Sequence, residues 1–311
     1  MKRTKALVVG SIAFDIVFQV HNVFRDEIII KDNQASSISM MLTARNKKMH
    51  FGGTAGNIAY GLGIQGESPL LFSVAGGDFE NDYHQHLLDH NVEVRVIVKP
   101  EEYTATFYAI SDQIKDQVGI FQPNTHGDYF EEISLTETLT AKDFAVIKVA
   151  IFSTTTAISL KKHMSELRKH AGPKPVIIFD PSQTLSIFFD KKLTEDCIKL
   201  ANIFIGNETE VEQLQKLLEM KISDIFKLGL KYVIETKGKH GCIIYSRKGR
   251  IKIPAFKPKK FVEQTGAGDA FRAGLIKGLL HDLPIEDSCR LAAKLGALNV
   301  ASEGGQNYQL I

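Results

Sequence analysis

The sequence predicts an α/β fold: a central, mostly parallel sheet flanked by helices, with a small β-sheet lid attached. Two observations predict it. Short β-branched runs, each closed by a polar or glycine-rich turn, alternate with amphipathic helical stretches, the pattern of strands covered by helices on both faces. Two other segments, 15–51 and 103–125, place polar residues among apolar ones with no helix between, and read as one β-meander inserted twice. The 311 residues suit one large domain with such an appendage.

In order, the expected core strands are 5–9, ending at Gly10; 69–74, ending at Gly76; and 145–152, ending in Ser-Thr-Thr-Thr. Then come 175–179, ending at Asp180; 202–205, ending at Gly206-Asn207; and 231–236, ending at Gly238. Helical patterns over 160–170 and 208–220 lie between them. The core is therefore assigned 1–14, 52–102 and 126–311, and the lid 15–51 and 103–125. Ligands of parallel sheets bind beyond the carboxyl ends of the strands, so the turns just named are where chemistry is expected.

Composition narrows the function. Hydrophobic residues at 44% and charged residues at 24% exclude global disorder. A net charge of +2 gives no general attraction to nucleic acid or anionic membrane, so any anion site must be local. No apolar run reaches the roughly 20 residues of a membrane span. Three cysteines far apart, Cys197, Cys242 and Cys289, make no metal spacing and suit a reducing cytoplasm.

Four strings at strand ends carry candidate chemistry. Gly266-Ala267-Gly268-Asp269 opens a helical pattern. Bare backbone N–H groups there make an anion site, and Asp269 can take a proton from an attacking hydroxyl or simply cap the helix. Asn207-Glu-Thr-Glu210 can order the waters of a Mg²⁺ ion or form an ordinary helix cap. Thr236-Lys-Gly238-Lys-His-Gly241 can approach nucleotide phosphates or make a hairpin turn; it is not a Walker loop. Gly52-Gly53-Thr-Ala-Gly-Asn57 offers open backbone and an amide to a polyhydroxylated ligand, or packs a helix tightly on the sheet. Asp15, at the end of the first strand stretch, can accept from two adjacent hydroxyls. Gly61-Leu-Gly-Ile-Gln-Gly66 follows a helix pattern instead of a strand, which argues against a dinucleotide site. Asp82, His86 and His90 share a helical face, read as solvated because nothing completes a metal site.

Together these strings resemble the ribokinase, or PfkB, family of carbohydrate and nucleoside kinases, along nearly the whole chain. Gly52-Gly53 with Asn57 matches its first signature, Asn207 to Glu210 its N-x-x-E motif, Thr236 to Gly241 its T-x-G-x-x-G turn, and Gly266 to Asp269 its G-A-G-D. Within the family the chain is most similar to bacterial adenosine kinases, through Phe271-Arg272-Ala-Gly274, Asp180-Pro-Ser-Gln183 and the ending Glu303 to Tyr308.

The resemblance implies a ribokinase-like fold and transfer of the γ-phosphoryl of ATP to the 5′-hydroxyl of a nucleoside, with adenosine expected. It implies Asp269 as general base, with the backbone of Gly266, Ala267 and Gly268 stabilising charge. Asp15, Gly53, Asn57, Gln183 and Arg272 are expected at the substrate, with Phe107 and Phe121 of the lid sandwiching the base. Asn207, Thr236, Gly238, Gly241 and Asn299 are expected at the nucleotide, and Glu210 at Mg²⁺ through water. A free-sugar kinase and a broad nucleoside kinase are the rival readings, and a homodimer through the lid is left open. The chain departs from the family at Glu263, where Asp is usual and in some relatives helps hold a monovalent cation; weak or absent K⁺ activation is expected.

Overall fold

The computed structural model describes residues 4–21, 23–24, 41–114 and 116–310. The expected lid residues 25–40 lie outside them. The chain opens with β1 (Lys5–Val9), whose burial explains its sequence: Ala6 and Val8 point to one core, Leu7 and Val9 to the other. Such a strand has no polar face and reads as a continuous apolar run. Then follow β2 (Ala13–Val20), β3 (Ala44–Gly52), α1 (Thr54–Ile64), β4 (Leu70–Gly76), α2 (Tyr83–Asp89), β5 (Glu93–Lys99), β6 (Thr106–Ser111) and β7 (Gln117–Gln122). The second half holds β8 (Ile147–Ser153), α3 (Ala157–Ala171), β9 (Val176–Asp180), α4 (Lys191–Leu200), β10 (Ile203–Asn207) and α5 (Glu208–Leu218). It ends with β11 (Tyr232–Thr236), β12 (Cys242–Ser246), β13 (Gly249–Ile253), α6 (Ala267–Leu280) and α7 (Ile285–Asn299).

Among the described residues these make a nine-stranded sheet in the order β13-β12-β11-β10-β9-β8-β1-β4-β5. It is parallel from β11 to β5, with β12 and β13 antiparallel at one edge. One face is covered by α1, α6 and α7 through Ile58, Leu275 and Leu295. The other is covered by α3, α4 and α5 through Leu160, Ile198 and Leu214.

A second, four-stranded sheet runs β3-β2-β6-β7. Its register puts Asp15 opposite His50 and Phe107, and Phe107 opposite Phe121. Opposed residues share a sheet face, so Asp15, His50, Phe107 and Phe121 look the same way.

The structure adds strands the sequence pattern did not reveal. β5 reads Glu-Val-Arg-Val-Ile-Val-Lys and is half-buried at the sheet edge, with no glycine turn to announce it. The 236–241 string is a hairpin turn here, because the strands it joins, β11 and β12, are antiparallel.

Candidate active site

The site is built where α6 begins. Gly266 adopts φ 78°, and a side chain there would meet the Gly305 Cα at 2.5 Å. Glycine is thus required twice over, by conformation and by the tail lying against it. Asp269 sits in the first helical turn. Its Oδ2 accepts a 2.8 Å hydrogen bond from Asn57 Nδ2. Asn57 is itself held: its Oδ1 accepts from Gln306 Nε2 at 3.0 Å, and the same nitrogen lies 2.6 Å from the Tyr83 hydroxyl. Tyr83 in turn donates to the Gly52 carbonyl at 2.6 Å. One chain of hydrogen bonds therefore fixes the carboxylate to the glycine turn where β3 meets α1. Tyr83 and Gln306 carried no sequence signal, because their partners are remote along the chain.

Burial pushes the Asp269 carboxyl up to about 6, against the pull of Arg272 and the Asn57 amide. Asp15 is pushed up to about 7, by burial first and then by the Asp269 and Glu263 carboxylates. Two acids held near neutrality and close enough for one to raise the other make this a candidate reactive site.

The helix start itself departs from expectation. The Ala267 N–H donates to the Gln264 carbonyl at 3.1 Å. That closes a turn, so in this conformation Ala267 does not offer its N–H to an anion. Among the described residues the N–H groups of Gly266, Gly268 and Asp269 have no backbone acceptor.

Arg272 also departs from its expected place at the substrate. It is 6% exposed. Its guanidinium makes a bidentate pair with Asp180, Nε at 2.5 Å and Nη2 at 2.6 Å, and Nη1 donates to the Gly268 carbonyl at 3.1 Å. A buried planar fork held on a carboxylate is a structural brace; it supports the first turn of α6 from beneath. Gln183 is exposed on the turn after β9, beside Ser182, whose hydroxyl lies 3.4 Å from Glu210 Oε1. Gln183 does not line the lid cavity.

Asn207 and Glu210 form a capping box. The Asn207 side chain accepts from the Glu210 N–H at 2.9 Å, and Glu210 Oε2 accepts from the Asn207 N–H at 2.7 Å. Glu210 is 6% exposed, and burial raises its carboxyl despite Arg272 nearby. Next to this cap on the sheet, Thr236 pairs with Asn207 in register and donates to the Gly206 carbonyl at 3.3 Å. Gly238 and Gly241 shape the turn beyond, with φ 50° and 85°. Asn299 is fully buried at the end of α7, donating to the Gly304 carbonyl at 3.3 Å, with its own Oδ1 unpartnered. It holds the tail against the Gly266 turn and is not presented to a ligand.

Gly53 caps α1 with φ 80°, and the Thr54, Ala55 and Gly56 N–H groups are taken by Ser11. Under the lid, Asp15, His50 and Phe107 share a cavity of about 170 Å³ with Glu263, Thr265 and Glu303 of the core. Phe121 stands 53% exposed on the same sheet face. Neighbours on one face make a platform, so sandwiching a base requires the two rings to part around it.

His86 and His90 are not on a solvated face. They pack with Tyr60 and Phe51, and burial drives His86 down to about 4. Among the described residues no three His, Cys, Asp or Glu side chains gather to hold a metal. Gly61 and Gly63 lie inside α1, against Tyr308 and the His90 carbonyl, as packing glycines.

Comparison with known proteins decides the family. The model of the pfkB family of carbohydrate kinases matches residues 4–310. The chain belongs to that family. This pfkB-family kinase is 29% identical over 303 residues to a nucleoside kinase of Methanothermobacter thermautotrophicus, covering 96% of this chain and 90% of the relative. It is 28% identical over 308 residues to one from Methanocaldococcus jannaschii, covering 98% and 93%. A solved nucleoside kinase of Burkholderia thailandensis in complex with inosine superposes with TM-score 0.79 at 28% identity, covering 97% of this chain and 93% of that one. The expected ribokinase-like fold and kinase class are thereby established.

Proposed function

We propose that this kinase transfers the γ-phosphoryl of ATP to the 5′-hydroxyl of a ribonucleoside, with adenosine as the preferred substrate. The observation that carries the reading is the Asp269 carboxylate, hydrogen-bonded by Asn57 at the glycine turn that opens α6. There a base and free backbone N–H groups lie within one helical turn of each other. Asp15 takes the ribose diol, Asn57 and the Gly53 backbone hold the sugar, and Phe107 with Phe121 stacks the base.

Asp269 removes the proton of the attacking hydroxyl as the new P–O bond forms and the bond to the ADP oxygen breaks. The Gly266 and Gly268 N–H groups and the helix dipole stabilise the charge of the transferring group; turning Ala267 away from Gln264 would add a third donor. Thr236 to Gly241 and Asn207 approach the nucleotide. The donor set suits Mg²⁺ only as a hydrated ion, since Glu210 is capped by a backbone N–H and, among the described residues, it is not part of a three-ligand cluster. Asn207 and Glu210 would hold its waters, and the ion would neutralise phosphate charge. With Glu263 in the lid cavity, weak or absent K⁺ activation remains the expectation.

A broad nucleoside kinase is the second reading, favoured by the inosine bound to the Burkholderia relative. An ATP-consumption screen with adenosine, inosine, cytidine, ribose and fructose separates the readings. Fastest turnover of ribose or fructose would overturn the nucleoside assignment.

A further inference from the structure

We propose that Glu263 is a substrate-selecting residue whose carboxylate accepts a hydrogen bond from the amino group of the nucleoside base. The inference rests on the nucleoside reading above. Glu263 lines the lid cavity together with Phe107 and Asp15. It is half-buried. Among the described residues no hydrogen bond or ion pair engages its carboxylate.

Several of the other polar groups around the cavity are engaged with one another. Lys48 Nζ lies 2.6 Å from Glu303. The Gln19 carbonyl accepts from Asn46 at 3.0 Å, and the Gln117 amide donates to Ser111 at 3.4 Å. The ionised side chains around the cavity are mostly acidic, Asp15, Glu263 and Glu303 against Lys48, while Thr265 and the Gln19 amide nitrogen are neutral donors. With Asp15 given to the sugar diol in the reading above, Glu263 is the charged acceptor still to be matched. Its charge and that of Asp15 repel, and a ligand donating hydrogen bonds relieves both.

A base with an amino group satisfies Glu263. A base with a keto oxygen in the same place would set lone pairs against a carboxylate. Sites that hydrogen-bond a substrate donor reject the analogue lacking it, because the protein group is left unpaired. Adenosine and inosine make the comparison: they share the ribose and differ only at the six-position, amino against keto, and at the adjacent N1, which carries a hydrogen in inosine.

The test measures kcat/KM for both nucleosides with the wild type, Glu263→Gln and Glu263→Asp, together with the KM for ATP. The wild type should favour adenosine by roughly 10- to 100-fold, the size of one charged hydrogen bond. In Glu263→Gln, whose amide can donate to a keto oxygen, the preference should collapse or reverse with the ATP KM unchanged. Glu263→Asp should keep the preference at lower kcat/KM. Equal losses for both nucleosides in Glu263→Gln would mean that the residue only shapes the loop or grips the sugar, and would overturn the proposal. So would a wild type that does not discriminate, a result that needs no variant to fold. Turnover of ribose with neither nucleoside accepted is a different outcome, and sinks the nucleoside reading itself.

Discussion

Asp269 and Asp15 are poised by burial more than by each other, and this sets their pH behaviour. The carboxyls are raised to about 6 and about 7, and in the proposed mechanism both must be ionised, one as base and one as acceptor of the diol. In free enzyme kcat/KM should therefore fall as pH drops through this range, and fall more steeply than one proton allows. A profile flat from pH 8 to 5 would contradict it. The linkage to stability runs the opposite way. A folded pKa above the unfolded value contributes stability at low pH that is lost as pH rises through the folded value. Asp15→Asn should therefore raise Tm at pH 8 and do little at pH 4, measured calorimetrically. Asp269→Asn keeps the glycine turn and removes the proton acceptor, so kcat should fall by roughly 10²–10⁴ while nucleoside affinity changes little. Retention of half the wild-type kcat would remove Asp269 from the role.

At the level of elements, the lid strands place the residues proposed for ribose and for base in one ladder. Asp15 and Phe107 are register partners on β2 and β6, and Phe107 faces Phe121 on β7. Replacing either phenylalanine by alanine should weaken nucleoside binding by about 1–3 kcal/mol of stacking and leave ATP binding unchanged, as titration calorimetry can read. Equal effects on ribose, which has no ring to stack, would refute the platform. The parallel strands were legible because burial on both faces leaves a continuous apolar run. β5 was not, since half-burial lets Glu93 and Arg95 interrupt it. The Asp269 turn was legible because its chemistry is local, four consecutive residues at a helix start. Arg272 was misplaced for the opposite reason: its partner Asp180 lies 92 residues away, and only the fold shows that the pair is buried. The neighbours of Glu263 escaped sequence reasoning in the same way, since the cavity is assembled from β2, β3, β6, β7 and the tail.

On the scale of the whole molecule, the proposed nucleoside site lies between two sheets joined by few strands. β2 leaves the core at Ala13 and β3 returns at Gly52, so the lid joins the core through strands that run into the Gly53 turn. Across the open side, Lys48 reaches Glu303 at 2.6 Å, and the His50 ring lies 3.4 Å from the Asn307 amide. These contacts link β3 to the tail whose Gln306 supports Asn57, so lid position and the catalytic network share one segment. The Lys48–Glu303 pair is exposed, 42% and 50% at its two ends, and such pairs stabilise by about 0.2–1 kcal/mol. That is too little to matter for unfolding, but if the lid closes on its substrate, such a small bias is enough to shift its position. Lys48→Ala should therefore leave Tm nearly unchanged and raise the nucleoside KM by a few-fold, with the ATP KM unaffected. Added salt should raise the wild-type nucleoside KM in the same direction and have a smaller effect on the variant, because screening weakens only the pair that is present. A variant that loses kcat and Tm together, or one that keeps the full salt response, would show that the pair is a bystander and that closure is governed elsewhere.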